Sequence, residues 1–196
     1  LLAQVARAGG EPHLLGIARD EPEHLRACIA RGLEHDVLLL SGGVSAGQRD
    51  LVPGVLERLG VQAHFHKVAL KPGKPLLFGT AGPRLVFGLP GNPVSSMVCF
   101  ELFVRPALRA LRGWLPGPTL TAASLIRNFT YKTDRPTYHP AVLTPGGAGW
   151  GVEPTDWFGS PDLRGLIPAN AFVVFPAGEH SYRRGDVLSV LRVETD

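Results

Sequence analysis

The stretch that most constrains this chain is Asp36 to Asp50, DVLLLSGGVSAGQRD, where an unbroken apolar run stops in a glycine-rich loop closed by an acid. Val37, Leu38, Leu39 and Leu40 show no polar alternation, the pattern of a strand covered on both faces by helices. Gly42, Gly43 and Gly47 then allow backbone amides to approach whatever lies beyond the strand's carboxyl end, which is where ligands bind in open α/β sheets. The segment 51–59 reads as a helix ended by Gly60, so Asp50 is either its N-cap or a carboxylate directed into the crevice.

Two more loops come after strand-like runs. Lys71-Pro72-Gly73-Lys74-Pro75 succeeds the extended segment 61–70, and Gly88-Leu89-Pro90-Gly91-Asn92-Pro93-Val94-Ser95 the run 85–89. All three loops are expected on one rim of a parallel sheet. Proline fixes φ and glycine permits close approach, so the second loop holds the Lys71 and Lys74 ammonium groups at a defined place, as an oxyanion site requires. In the third loop Asn92 is the expected N-cap and Pro93 the N1 residue of a helix running to about Arg112, with Val94, Val98 and Leu102 as its apolar stripe and a kink at Pro106. That helix start presents free amide donors at its positive end.

In this order and at these separations, GGVSAGQRD, KPGKP and GLPGNPVSS resemble the MoeA family of molybdopterin molybdenumtransferases, which includes the E domain of gephyrin. The likeness is strong from Pro12 to Arg112. It continues more weakly through Ala169-Asn170 and Pro176-Ala177-Gly178. The related MogA adenylyltransferases share the fold but carry a GGTG-type loop, where this chain has Val44-Ser45.

The resemblance implies a MogA-like three-layer α/β domain over 1–113, lacking its N-terminal part, followed by a small β-barrel-like domain over 114–196. It implies insertion of molybdate into adenylylated molybdopterin with release of AMP, assisted by Mg2+. Asp20, Asp50, Lys67 and Lys71 match catalytic positions, with Asp20 and Asp50 on the metal. Gly42, Gly43, Ser45, Gly47, Lys74, Pro90, Gly91, Asn92, Pro93 and Ser95 match the substrate cradle. Ser45 and Ser95 have no evident base beside them and are expected to donate hydrogen bonds to an anion, not to attack it. The glycine-serine stretch of the family's β domain is altered here to Gly159-Ser160-Pro161-Asp162. Two alternatives stay open: a MogA-like adenylyltransferase and a noncatalytic scaffold that binds a peptide.

Composition narrows the class. With 44% hydrophobic and 19% charged residues over 196 positions the chain has the balance of a folded globular protein, and no apolar run reaches the roughly 20 residues of a membrane helix. Its net charge of +3 is spread singly or in pairs, Arg183-Arg184 being the densest cluster, so a nucleic-acid partner is not expected. Cys28 and Cys99 fall in helical patterns with no ligand partner at metal spacing, as in reduced core cysteines of a cytoplasmic protein. His64 and His66, two apart on an expected strand, share a face but lack a third ligand. The chain opens at Leu1 inside a helix-like segment, 1–8, and its one methionine is Met97, which together suggest a piece of a longer protein; the family resemblance implies that the intact protein is a homodimer. A strand is expected at 13–18 and a helix at 23–33. Beyond Gly113, short alternating runs at 120–126, 138–143, 151–153, 171–175 and 187–193 predict an antiparallel sheet or barrel.

Overall fold

A computed structural model of the chain describes residues 1–44, 51–115, 117–147 and 149–193. It divides into two compact units: Leu1–Val68 with Gly73–Phe100, and Ala69–Pro72 with the chain from Glu101 onward. The tip of the lysine loop thus belongs to the second unit although both its ends belong to the first.

In the first unit, α1 (Leu2–Arg7) and α2 (Pro22–Gly32) precede β1 (Val37–Ser41). Then come α3 (Val52–Arg58), β2 (Gln62–His66), β3 (Leu77–Ala81), β4 (Arg84–Leu89) and α4 (Pro93–Cys99). The sheet order is β1-β4-β3-β2. Strand β1 runs parallel to β4, with Val37 opposite Leu85 and Ser41 opposite Leu89. Strand β3 is antiparallel to both β4 and β2. The sheet is therefore mixed, not wholly parallel, because β3 and β4 are joined by a turn at Gly82 too short for the crossover that parallel strands need. Two successive reversals leave β2 pointing the same way as β1 and β4. The loops after all three strands consequently leave from one rim.

The core under this sheet joins Leu25 and Ile29 of α2, Val52, Val55 and Leu56 of α3, and Leu38, Leu77 and Val86 of the strands. Each such side chain removed from water contributes about 1.5–3 kcal/mol, which is what fixes the helices on the sheet. Segment 13–18 forms no strand. Gly16 takes a positive φ of 93°, which interrupts a strand's pleat, and Leu14 and Ile17 are exposed where a buried strand would cover them.

The long helix after Pro93 is not a single α-helix with a proline kink. Helix α4 passes into a π-helical turn, Phe100–Val104, and then into α5 (Arg105–Leu111), with Pro106 in the first turn of α5 where its missing N–H costs nothing. The wider turn rotates the residues beyond it about the helix axis. Val94 and Val98 are wholly buried as the stripe requires, but Glu101 and Arg105 turn inward in place of Leu102.

In the second unit β5 (Leu120–Leu125), β7 (Thr137–Gly146), β8 (Gly149–Pro154), β9 (Ala171–Phe175) and β11 (Val187–Arg192) close a barrel in the order β11-β5-β8-β7-β9. One pairing, β5 with β8, is parallel. Two strands that sequence patterning does not indicate, β6 (Phe129–Thr133) and β10 (Gly178–Tyr182), form a separate antiparallel ribbon. The barrel interior is filled by Leu125, Ala141, Val152, Ala171, Val173, Phe175 and Val190. Asn170 mimics a strand: its side-chain amide accepts from the Leu143 N–H at 2.7 Å and donates to the Leu143 carbonyl at 2.9 Å. No helix among the described residues is long and apolar enough to cross a membrane.

Candidate functional site

The carboxyl rim of the first sheet is built by contacts that run from loop to loop. The Gly42 N–H donates to the Leu89 carbonyl at 3.0 Å, extending the β1–β4 pairing into the loops. Gly42 and Gly91 then meet closely: a side chain on Gly91 would stand 3.3 Å from the Gly42 Cα, so the tight passage favours glycine at 91. Gly42 and Gly43 both adopt positive φ, at 86° and 66°. Val44 covers Gly88, where an added Cβ would lie 2.6 Å from its Cγ1.

The lysine loop begins where β2 ends. His66 donates from Nε2 to the Val44 carbonyl at 2.6 Å, joining the root of this loop to the end of the glycine loop. Lys67 comes next at φ 88°, the one described non-glycine residue at positive φ, and its N–H donates to the Leu76 carbonyl at 2.8 Å. A lysine held in a left-handed conformation costs of order 1 kcal/mol or more, and such outliers concentrate at functional sites. The Val68 N–H donates to the Lys74 carbonyl at 2.9 Å, so the loop's two ends run side by side, and Lys67 and Lys74 are both exposed. His64 sits apart, bonded to Thr80 Oγ1 at 2.8 Å across β3. A register shift between Ala63 and Phe65 separates it from His66, which disposes of the shared-face histidine pair.

Helix α4 steadies the other loops. Ser96 Oγ donates to the Pro90 carbonyl, and Cys99 Sγ–H to the Gly73 carbonyl at 3.6 Å. Asn92 occupies the N-cap position, but its side chain makes no capping bond, and Oδ1 is buried without a partner among the described residues. Ser95 is only 4% exposed, which leaves its side chain little room to reach a ligand. Burial also lifts the Cys99 thiol to about 12, so the buried cysteine is the inert one its helical setting suggests.

Asp20 is exposed just before α2. The short connection 33–36 requires α2 to run back along β1, which carries its N-terminus toward the carboxyl rim. Asp50, Ser45 and Gly47 lie outside the described residues. Among the described residues no three His, Cys, Asp or Glu side chains gather to hold a metal ion. Asp20 therefore offers one carboxylate and no cage. An exposed carboxylate is an oxygen ligand of the kind hard divalent cations take.

Lys71 is placed by the second unit. Its N–H donates to the Pro136 carbonyl at 2.9 Å and its carbonyl accepts from the Tyr138 N–H at 2.7 Å. Beside it, Arg135 bonds Asp134 at 3.1 Å, while its Nε is buried without a partner among the described residues. The Arg135 guanidinium chiefly, with Lys71 adding to it, holds the Asp134 carboxyl below its usual range. Arg135 is a cation that the sequence alone does not single out, because nothing in its local pattern shows that Lys71 is its neighbour. Of the altered stretch 159–162, Asp162 lines an open depression of about 500 Å³ on the barrel unit with Arg127, Glu153, Phe158 and Arg164. There Asp162 accepts from the Phe158 and Arg164 N–H groups and so ties its own loop.

A mixed α/β sheet with glycine and lysine loops on its carboxyl rim, followed in sequence by a closed five-stranded barrel, defines the structural class. A family model described as "Probable molybdopterin binding domain" matches residues 1–110, and one described as "MoeA C-terminal region (domain IV)" matches residues 122–193. The chain belongs to the MoeA family. It is 37% identical over 195 residues to the molybdopterin molybdenumtransferase of Synechococcus elongatus, covering 97% of this chain and 47% of that protein. The Bacillus subtilis molybdopterin molybdenumtransferase is 32% identical over 199 residues, covering 99% of this chain and 46% of the relative. A molybdopterin biosynthesis MoeA protein from Pyrococcus horikoshii superposes with a TM-score of 0.77 at 30% identity, over 98% of this chain and 46% of that one. The chain thus spans about half the length of the curated relatives it matches.

Proposed function

We propose that the protein to which this chain belongs inserts molybdate into adenylylated molybdopterin and releases AMP, and that the chain carries the anion-binding part of that site. One observation carries this reading: three loops from β1, β2 and β4 leave one rim and are bonded to each other through Gly42, Leu89, His66 and Val44. Backbone amides brought together in this way favour negative charge, as phosphate and molybdate supply. In this reading Gly42, Gly43, Gly47, Pro90, Gly91, Asn92 and Pro93 form the cradle with Ser45; Ser95, expected there from the motif, is too buried to reach the anion. Lys67 and Lys74 supply positive charge at this rim, and Lys71 does so by its match to the family's motif. Asp20 and Asp50 hold Mg2+ against the phosphates.

The names of the relatives and the match to a MoeA C-terminal region favour the transferase over a MogA-like adenylyltransferase. The functional boundary is proposed at 113/114, with a cytoplasmic homodimer as the working form. The test compares molybdenum transfer by the 196-residue chain and by a form extended to the relatives' length. Transfer by the longer form, with anion binding but negligible transfer by the chain alone, is the expected result. Adenylylation of molybdopterin from ATP would replace this reading with the adenylyltransferase.

A further inference from the structure

Of the side chains that grip a carbonyl at the rim, His66 joins two different loops. It is half-buried at the last position of β2, one residue before Lys67 with its positive φ. Its acceptor, the Val44 carbonyl, ends the described part of the glycine loop. The Val44 side chain is itself fixed, 1% exposed and packed over Gly88. A carbonyl can only accept, so the hydrogen in this 2.6 Å contact belongs to Nε2. Val44 is therefore held at both ends of the residue, by its side chain through the sheet and by its carbonyl through His66. Gly42 is bonded to Leu89 on the other side, which leaves Gly43 suspended between two fixed neighbours.

We propose that His66 is a positioning residue of the anion site: by donating to the Val44 carbonyl it keeps the glycine-loop amides and Lys67 at a constant separation. This rests on the anion-site reading above. A histidine that only filled space would affect stability and leave the affinity of the folded protein unchanged. A positioning histidine must affect affinity, because misplacing a binding group by an ångström loses much of its effect.

The experiment uses the whole chain, with molybdate and AMP as probes in calorimetric titrations of wild type, His66→Gln and His66→Asn. A glutamine amide nitrogen reaches the place of Nε2, whereas the asparagine amide is too short. We expect His66→Gln to bind within about twofold of wild type and His66→Asn to bind at least about fivefold more weakly, the loss of one positioned hydrogen bond. In 15N-resolved spectra of the wild-type imidazoles, the His66 Nε2–H should be protected from solvent exchange and should shift when molybdate is added. Equal affinities for all three proteins, or a His66 ring carrying its hydrogen on Nδ1 alone, would overturn the inference while leaving the anion site standing. A wild-type chain that binds neither molybdate nor AMP would overturn the anion site and this inference together.

Discussion

His139 lies inside the barrel, 2% exposed, ringed by Phe129, Tyr131, Trp157 and Phe175. Its Nδ1–H donates to the Pro140 carbonyl at 2.9 Å. Burial pushes its pKa down from 6.5 to about 4, with Arg127 adding to the depression and the Pro140 bond and Asp156 opposing it. The unfolded chain then binds a proton that the folded chain refuses. The stabilisation is complete above the unfolded pKa and is lost as pH falls from 6.5 toward 4, up to about 3 kcal/mol. Denaturant unfolding of the barrel at pH 7 and pH 4.5 should show this slope in wild type, and His139→Phe should flatten it. At the rim, Lys67 carries strain in its backbone and charge in its side chain. Lys67→Gly should therefore raise stability by about 1 kcal/mol, since glycine adopts positive φ freely, while weakening molybdate binding. A variant that loses both stability and binding would show that φ 88° is not strained in this loop. The charge at Lys67 is legible in the sequence through the KPGKP motif beside it. The strain is not, because a positive φ at lysine is imposed by the closure of the loop and leaves no mark on residue type.

Among the elements, strand β1 and the five barrel strands are legible because their side chains alternate or run apolar with the period their burial demands. Ribbon strands β6 and β10 escape notice because they pair with each other outside the barrel, where polar residues such as Lys132 and Glu179, bonded at 2.7 Å, do the facing. The mixed sheet could have been foreseen. Only the short turn around Gly82 separates the runs that became β3 and β4, and such a connection forces antiparallel pairing. The π-helical turn could not, since a heptad-like stripe does not record where an extra residue will be absorbed. Its consequence is energetic: Glu101 and Arg105, 1% and 3% exposed, pair inside the protein at 2.6 Å. Removing the carboxylate takes away the Arg105 guanidinium's buried ion pair, so Glu101→Ala should cost about 3 kcal/mol. Glu101→Gln, which keeps a hydrogen-bond acceptor, should cost less. Equal stabilities by chemical denaturation would show that Arg105 is adequately held without the carboxylate.

On the scale of the whole molecule, the chain interleaves its two units: Ala69–Pro72 leaves the first to join the second, and Lys71 goes with it. Sequence order places Lys67, Lys71 and Lys74 in one loop, but it cannot tell that the middle of that loop pairs with Thr137 of the barrel unit. Likewise Asp20 is legible as an acid before a helix, whereas the sense in which α2 returns along β1 is set by the short connection 33–36. The central claim is that the rim of the first unit binds both an oxyanion and a nucleotide phosphate. Diffraction from crystals of the chain soaked with molybdate and AMP, with molybdenum located by its anomalous signal, tests that claim most directly. The account predicts molybdenum beside Lys67 and the AMP phosphate on the Gly42-Gly43 and Pro90–Asn92 backbone. Molybdenum and AMP found only in the depression between Arg127 and Arg164 on the barrel would contradict it.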